Sequence, residues 1–222
     1  MAQSVSMKLF YGAFGVLVVV GAAWIWSSRG GSEAVEVDPV PVDPTSFAGW
    51  VLGSDSAPVE IVEYADFECG ACAHFAILTA PDVRQRLVAT GRVRLRFRDF
   101  PIQGHRYSPI AHQAGACAGE QGRFWEMADQ IFFNQSTWIQ DRRPARQFED
   151  YARAIGLNMD QYDSCIKERR HAGDIEASRQ HGLAVGVNAT PSFVIGGLLV
   201  AGALPYDSIV RLVERAEARA RP

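Results

Sequence analysis

Hydrophobic and polar positions along the chain follow two periods, and each period predicts a type of element. Residues 58–65 form a short apolar run that begins at a proline, which predicts a strand. Residues 93–100 alternate between apolar side chains and arginines, which predicts a half-buried strand with a solvated arginine face. Residues 190–201 hold two apolar runs around Gly196–Gly197, so we expect a β-hairpin there.

Helical spacing fills the stretches between these strands. Apolar residues recur at near-helical intervals over 75–88, where Pro81 should kink or break the helix. The pattern is helical from about 105 to 187, and residues 205–220 predict a closing helix with a proline at its start. The order strand, helix, strand, helical block, hairpin and helix predicts an α/β sandwich with a helical domain inserted in its middle.

An uncharged apolar run lies near the N-terminus. Residues 9–26 would form a helix about 27 Å long at about 1.5 Å per residue, which nearly matches a hydrocarbon core of about 30 Å. We therefore expect an uncleaved transmembrane signal anchor, preceded by a short tail at 1–8. A cleaved signal peptide is the alternative, because Gly21-Ala22-Ala23 is a weak candidate cleavage site.

The next segment differs sharply in composition. Residues 27–50 are rich in serine, glycine, proline and acidic residues without a lasting period, so we expect a flexible linker. The folded domain is then expected over 51–218, with the helical insertion at about 104–187. The short tail ahead of the anchor favours a cytoplasmic N-terminus and an exported domain.

Composition narrows the class of protein. The 222 residues are 48% apolar and 21% charged, which excludes a disordered chain, a collagen and a polytopic membrane protein. A net charge of −3 implies no general affinity for nucleic acid. Four cysteines are too few for a small disulfide scaffold, so their positions matter more than their number.

Cys69 and Cys72 form a C-x-x-C motif that follows a predicted strand and opens a predicted helix. In that place the first thiol meets the free N–H groups and the positive end of the helix dipole, which stabilise its thiolate. Such a thiolate is suited to thiol–disulfide exchange. A metal-binding module is the alternative, with His74 as a third ligand, although a structural zinc site needs four. A plain structural disulfide between Cys69 and Cys72 is a second alternative.

Several stretches together resemble the DsbA-type thiol:disulfide oxidoreductases, over about residues 50–218. They are VEYADFECGACAHF, FRDFPIQGH, ACAGEQGRFWEM and ATPSFVIGG. The resemblance implies an α/β thioredoxin-like fold with an inserted helical domain. It also implies that Cys69 is the exposed nucleophile and that Cys72 is the buried resolving cysteine.

The same resemblance assigns three further site residues. Pro191 matches a cis-proline that faces the disulfide, where the backbone of Thr190 would lie beside Cys69 and pair with a substrate peptide. Glu63 matches a buried acid that relays the proton of the resolving thiol. The alternative for Glu63 is a strand carboxylate that faces solvent.

The second cysteine pair and the dipeptide also follow from the resemblance. Related proteins carry a second pair at matching places, which implies a structural disulfide between Cys117 and Cys165; two buried free thiols are the alternative. Strongly oxidising members commonly place Pro-His between the active cysteines, whereas this chain has Gly70-Ala71. We therefore expect a less acidic Cys69 and a milder oxidant.

The resemblance implies a membrane-tethered enzyme on the extracytoplasmic side, in the periplasm or cell envelope. It would introduce disulfides into exported proteins that contain cysteine pairs. A quinone-linked membrane partner of the DsbB or vitamin K epoxide reductase type would reoxidise it. No cofactor, metal or nucleic acid is expected. A disulfide reductase or isomerase of the same fold is the main alternative.

Overall fold

The computed structural model describes residues 11, 14, 17, 34–38 and 48–220. The expected tail at 1–8 lies outside the described residues, and only three positions of the expected anchor at 9–26 are described. Those three are helical and exposed, and they belong to a first compact unit, residues 1–33. Within the described part of the chain, no helix is both long and apolar enough to span a membrane.

The second unit, residues 34–222, contains one mixed sheet of six described strands. The strands are β1 (Val35–Glu36), β2 (Trp50–Leu52), β3 (Val59–Ala65), β4 (Val93–Asp99), β5 (Ser192–Ile195) and β6 (Leu198–Ala201). Their order across the sheet is β1-β6-β5-β3-β4-β2. Strands β3 and β4 are parallel, and the other neighbours are antiparallel.

Helices fill the intervals that helical spacing predicted. They are α1 (Gly70–Leu78), α2 (Ala80–Val83), α3 (Ser108–Gly119), α4 (Phe124–Phe133), α5 (Gln135–Trp138), α6 (Ala145–Ala154), α7 (Met159–Glu168), α8 (Ala172–Val185) and α9 (Tyr206–Ala220). The expected break near Pro81 is confirmed: α1 ends before Thr79, Pro81 lies in the first turn of α2, and a π-helical turn follows at Arg84–Val88. Glycines at 196 and 197 both have positive φ and close the β5–β6 hairpin.

Two features correct the sequence interpretation. The expected linker at 27–50 contributes to the sheet, because Val35–Glu36 pairs with β6 and Trp50 begins β2. The arginine face of β4 is only partly solvated. Arg98 is 3% exposed, since α8 packs over this end of the sheet, where the Tyr64 hydroxyl lies 2.8 Å from Nδ1 of His181.

The inserted helices share a core with the sheet rather than forming a separate body. One apolar cluster joins the end of β3 and α1 to the inserted helices, and its largest members include Phe67, Met127, Trp138 and Tyr162. A disulfide joins Cys117 of α3 to Cys165 of α7 inside this cluster, with Cα atoms 5.8 Å apart. The insertion is therefore fixed directly against the helix that carries the C-x-x-C motif.

Candidate active site

The C-x-x-C motif lies where the chain passes from the sheet into α1. Strand β3 ends at Ala65, three residues follow, and Cys69 is the N-cap of α1 with an extended backbone (φ −76°, ψ 121°). Cys69 is partly exposed, whereas Cys72, one turn into the helix, is 0% exposed. The two residues therefore differ in access to solvent as an attacking and a resolving cysteine must.

Several hydrogen-bond donors around Cys69 stabilise its thiolate. A hydrogen bond from the Cys72 thiol is the main reason that the pKa of Cys69 is lowered to about 5, although burial opposes the change. The Thr190 side chain and the backbone N–H groups of Ala71 and Cys72 lower this pKa further. Cys69 is therefore mostly a thiolate at neutral pH.

Cys72 has the opposite environment. Burial, followed by its interactions with Cys69, raises the pKa of the Cys72 thiol well above its usual range. The backbone N–H of Asp66 donates to the Cys72 sulfur at 3.5 Å. Cys72 therefore remains a protonated donor beside the Cys69 thiolate.

The Thr190–Pro191 peptide bond is cis and lies against the redox pair. The Cys69 sulfur, as a thiol, donates to the Thr190 carbonyl oxygen at 3.4 Å. In the described part of the chain no other group engages the buried Thr190 hydroxyl, so it can turn toward the Cys69 thiolate whose pKa it lowers. Strand β5 begins directly afterwards at Ser192, which fixes this loop to the sheet.

Glu63 is buried in the centre of β3, at 4% exposure, so the solvent-facing alternative is wrong. It shares a face of the strand with Ile61 and Ala65, and Ala65 packs in the same cluster as Cys72. Burial raises the pKa of Glu63 to about 8, and the charge of Arg84 only partly opposes this. The carboxyl group is therefore protonated at neutral pH.

Polar side chains that the sequence analysis passed over hold the loop before Cys69. The Glu68 carboxylate accepts from the backbone N–H groups of Tyr107 and Ser108 at 2.6 and 2.8 Å, at the start of α3. The Gln135 amide donates to the carbonyl oxygens of Phe67 and Cys69 at 2.7 and 3.0 Å. In the sequence, the acidic residues Asp66 and Glu68 on either side of Phe67 were the only local indication of these contacts. No sequence feature near Gln135 indicated its role.

The structure does not gather Cys69, Cys72 and His74 into a metal-ligand group. His74 is exposed on α1. In the described ranges, the potential ligand group is Glu120, Cys165 and His171, and its cysteine sulfur is already bound in the disulfide.

The fold and the site together define the structural class of this protein. A Cys-x-x-Cys pair at a helix N-terminus, opposite a cis-proline and covered by inserted helices, is the arrangement of DsbA-like thioredoxin folds. DsbA from Chlamydia trachomatis matches with a TM-score of 0.70, at 21% identity, over 82% of this chain and 98% of its own. A thioredoxin-like oxidoreductase from Silicibacter pomeroyi matches with a TM-score of 0.64, at 26% identity, over 79% and 94% of the two chains.

The chain belongs to the thioredoxin family, because a sequence model of the family described as Thioredoxin matches residues 45–215. Among curated relatives, a probable disulfide bond formation protein D from Bacillus anthracis is 28% identical over 74% of this chain and 76% of its own length. A Na⁺/H⁺ antiporter NhaA 3 from Salinispora tropica is 35% identical over 86% of this chain. The chain spans only 28% of the length of that antiporter.

Proposed function

We propose that the chain is a thiol:disulfide oxidoreductase that introduces disulfides into exported proteins through Cys69 and Cys72. The observation that carries the proposal is the pairing of a partly exposed Cys69, with a pKa of about 5, and a buried Cys72. Exchange needs one accessible sulfur that leaves readily and a second sulfur that closes the ring. The cis bond before Pro191 supports the same role, because it holds the Thr190 backbone where an extended substrate can pair.

The reaction moves two electrons from substrate to enzyme. A substrate thiolate attacks the Cys69 sulfur of the enzyme disulfide, the bond to Cys72 breaks, and Cys72 leaves as a thiolate that takes up a proton. A second substrate thiolate then attacks the substrate sulfur of the mixed disulfide and releases Cys69 as a thiolate. The substrate ends with a disulfide and the enzyme with a dithiol.

Glu63 is suited to supply the proton that Cys72 needs. With a pKa of about 8, Glu63 holds a proton at neutral pH. Its affinity for that proton is similar to the affinity of an ordinary thiolate. When the pair is oxidised again, the same carboxylate can take the proton back.

The acidity of Cys69 favours the oxidase direction. A stable thiolate is a good leaving group, and it stabilises the reduced enzyme relative to the disulfide. A pKa of about 5 lies between about 3.5 for DsbA and about 7 for thioredoxin. Together with Gly70-Ala71 in place of Pro-His, this value supports an oxidant milder than DsbA.

The location and the partner belong to the same proposal. The disulfide between Cys117 and Cys165 suits an oxidising, extracytoplasmic compartment. Residues 9–26 would hold the domain at the membrane, and residues 27–33 would begin its tether. A quinone-linked membrane oxidase of the DsbB or vitamin K epoxide reductase type, held in the same bilayer as the anchor, would then reoxidise the Cys69–Cys72 pair. Carbonate extraction tests the anchor: full-length chain that leaves the membrane fraction would contradict it.

The enzymatic proposal is tested by trapping in cells with Cys72→Ala. We expect mixed disulfides between Cys69 and exported cysteine-containing proteins, seen on non-reducing gels, because the resolving thiol is gone. The matched control is Cys69→Ala with Cys72→Ala, which should trap nothing. The redox state of the wild-type pair gives the direction. A mostly oxidised pair supports the oxidase, whereas a mostly reduced pair would replace it with the reductase or isomerase.

A further inference from the structure

A histidine of the inserted helices is buried behind the redox pair. His112 of α3 is 0% exposed, and its Nδ1 lies 2.6 Å from Oδ1 of Asp99. Its Nε2 lies 3.7 Å from Oδ1 of Asp66, which is an ion-pair distance rather than a hydrogen bond. The rings of Phe67 and Phe97 pack near the imidazole, so His112 lies in apolar surroundings.

The sheet brings the two carboxylates together. Strands β3 and β4 are parallel, and Ala65 is paired with Asp99, so Asp66 and Asp99 both lie at the carboxyl ends of neighbouring strands. They are the charged groups that face His112 from the elements packed against it in the described chain. His105 reaches the cluster only through Asp66, with its Nδ1 2.8 Å from Oδ2 and a side chain that is 31% exposed.

This arrangement favours a protonated imidazole. Burial alone would lower the pKa of His112, but the carboxylates of Asp66 and Asp99 raise it to about 9. Burial alone would likewise raise the pKa of Asp66. Its interactions with His112 and with the backbone N–H groups of Ile102 and Glu68 instead hold this pKa well below its usual range. The His112 imidazolium therefore lies beside the ionised Asp66 carboxylate at neutral pH.

Asp66 connects this cluster to both redox cysteines through its backbone. Its N–H donates to the Cys72 sulfur at 3.5 Å, and its carbonyl oxygen accepts from the Cys69 N–H at 3.1 Å. The Asp66 side chain is therefore attached between two peptide groups, of which the one before it contacts Cys72 and the one after it contacts Cys69. Among the inserted helices, His112 is the residue whose positive charge compensates the Asp66 carboxylate.

We propose that His112 is a positioning residue for the redox pair: a buried imidazolium that holds Asp66 and offsets its negative charge beside the Cys69 thiolate. This inference rests on the proposed redox function and deepens it, because it makes the inserted helices part of what sets the acidity of Cys69. Without the imidazolium, the uncompensated carboxylate of Asp66 repels the Cys69 thiolate and so disfavours it.

The test uses the purified full-length chain, reduced mildly so that the disulfide between Cys117 and Cys165 stays intact. In His112→Gln, the pKa of Cys69, followed by thiolate absorbance in the ultraviolet, should rise by about one unit. The equilibrium constant for oxidising a reference dithiol should fall several-fold. His105→Gln is the matched control, because it removes a partly exposed histidine from the same carboxylate, and it should change the pKa much less.

A charge-balanced variant separates electrostatics from packing. Asp66→Asn combined with His112→Gln removes one charge of each sign, so the pKa of Cys69 should return most of the way to its wild-type value. A merely structural role for His112 would lower the stability of both variants and would not restore the pKa.

If His112→Gln does not fold, Asp99→Asn keeps the inference open to refutation. Loss of one carboxylate should lower the pKa of His112, so the Cys69 thiolate signal should gain a second titration step near neutral pH. A His112→Gln chain that folds with an unchanged Cys69 pKa would overturn the inference, and so would an Asp99→Asn chain with a single unchanged step. If the wild-type chain itself exchanges no disulfides, the proposed function fails instead.

Discussion

Replacement of Glu63 by glutamine should stabilise the protein while it slows exchange. Glu63 is 4% exposed, and its pKa rises from 4.5 to about 8 because burial disfavours the carboxylate. In the unfolded chain the carboxyl group ionises freely above pH 4.5, whereas the folded chain must keep the proton until about pH 8. A group with a raised pKa contributes stability that is complete below its unfolded pKa and is lost as the pH rises through the folded value.

The size of this effect follows from the two pKa values. At pH 7 the difference between 7 and the unfolded pKa of 4.5 costs the wild-type chain about 3 kcal/mol, at about 1.4 kcal/mol per pKa unit. Glu63→Gln removes the ionisation and keeps nearly the same volume. We therefore expect the free energy of unfolding at pH 7 to rise by up to about 3 kcal/mol, with little change at pH 4.

Urea unfolding of the oxidised full-length chain, at several values of pH between 4 and 8, measures this difference. Glu60→Gln is a useful control, because Glu60 lies on the other face of β3, is partly exposed and pairs with Arg94 and Arg96. It should not stabilise the chain as the pH rises. A Glu63→Gln chain whose gain is the same at pH 4 and pH 7, or that is less stable at pH 7, would refute the assigned burial of a protonated carboxyl.

Other predictions concern the thiols and the packing around them. Cys72→Ala should raise the pKa of Cys69 by about one to two units, because a hydrogen bond to a charged group contributes about 1.5–3 kcal/mol. The pH dependence of alkylation measures this pKa, and an unchanged value would assign the acidity of Cys69 to the helix terminus alone. Replacing both Cys117 and Cys165 by alanine opens a loop with a sequence separation of 48. The chain-entropy model then predicts that the free energy of unfolding, measured with denaturant, falls by about 4 kcal/mol. A fall below about 1 kcal/mol would contradict that model for this disulfide. Gly182→Ala would place a methyl group against two aromatic rings at 2.6 and 2.9 Å, so thermal unfolding should show a loss of about 1–3 kcal/mol, and an unchanged midpoint would mean that α8 shifts freely.

The local pattern of apolar residues was enough to predict the helices and strands that bury a continuous face along their length. The apolar run of β3 and the alternation of β4 were visible because each strand is seven residues long and one face of each is packed. Strand β1 has two residues and β2 has three, so neither is long enough to show a period. Such edge pairing depends on partners far along the chain, which a local pattern does not contain.

The burial of Arg98 shows the same limit for a side chain. Its alternation with Val93, Leu95 and Phe97 correctly placed it on the opposite face of β4. Whether that face meets solvent depends on α8, which begins about 70 residues later and closes on the sheet where Gly182 leaves room for Phe100 and Tyr64. Burial on the second face of a strand is therefore a tertiary property.

The candidate site divides in the same way. Cys69 and Cys72 were predicted because their spacing, the preceding strand and the following helix are all local. Asp66 and Asp99 carried no motif, and they meet only because parallel pairing aligns the ends of β3 and β4. That same edge receives α3, so a histidine 40 residues beyond the C-x-x-C motif lies between the two carboxylates. The parallel register of β3 and β4 thus supplies the second layer of the redox site, and sequence spacing alone could not reveal it.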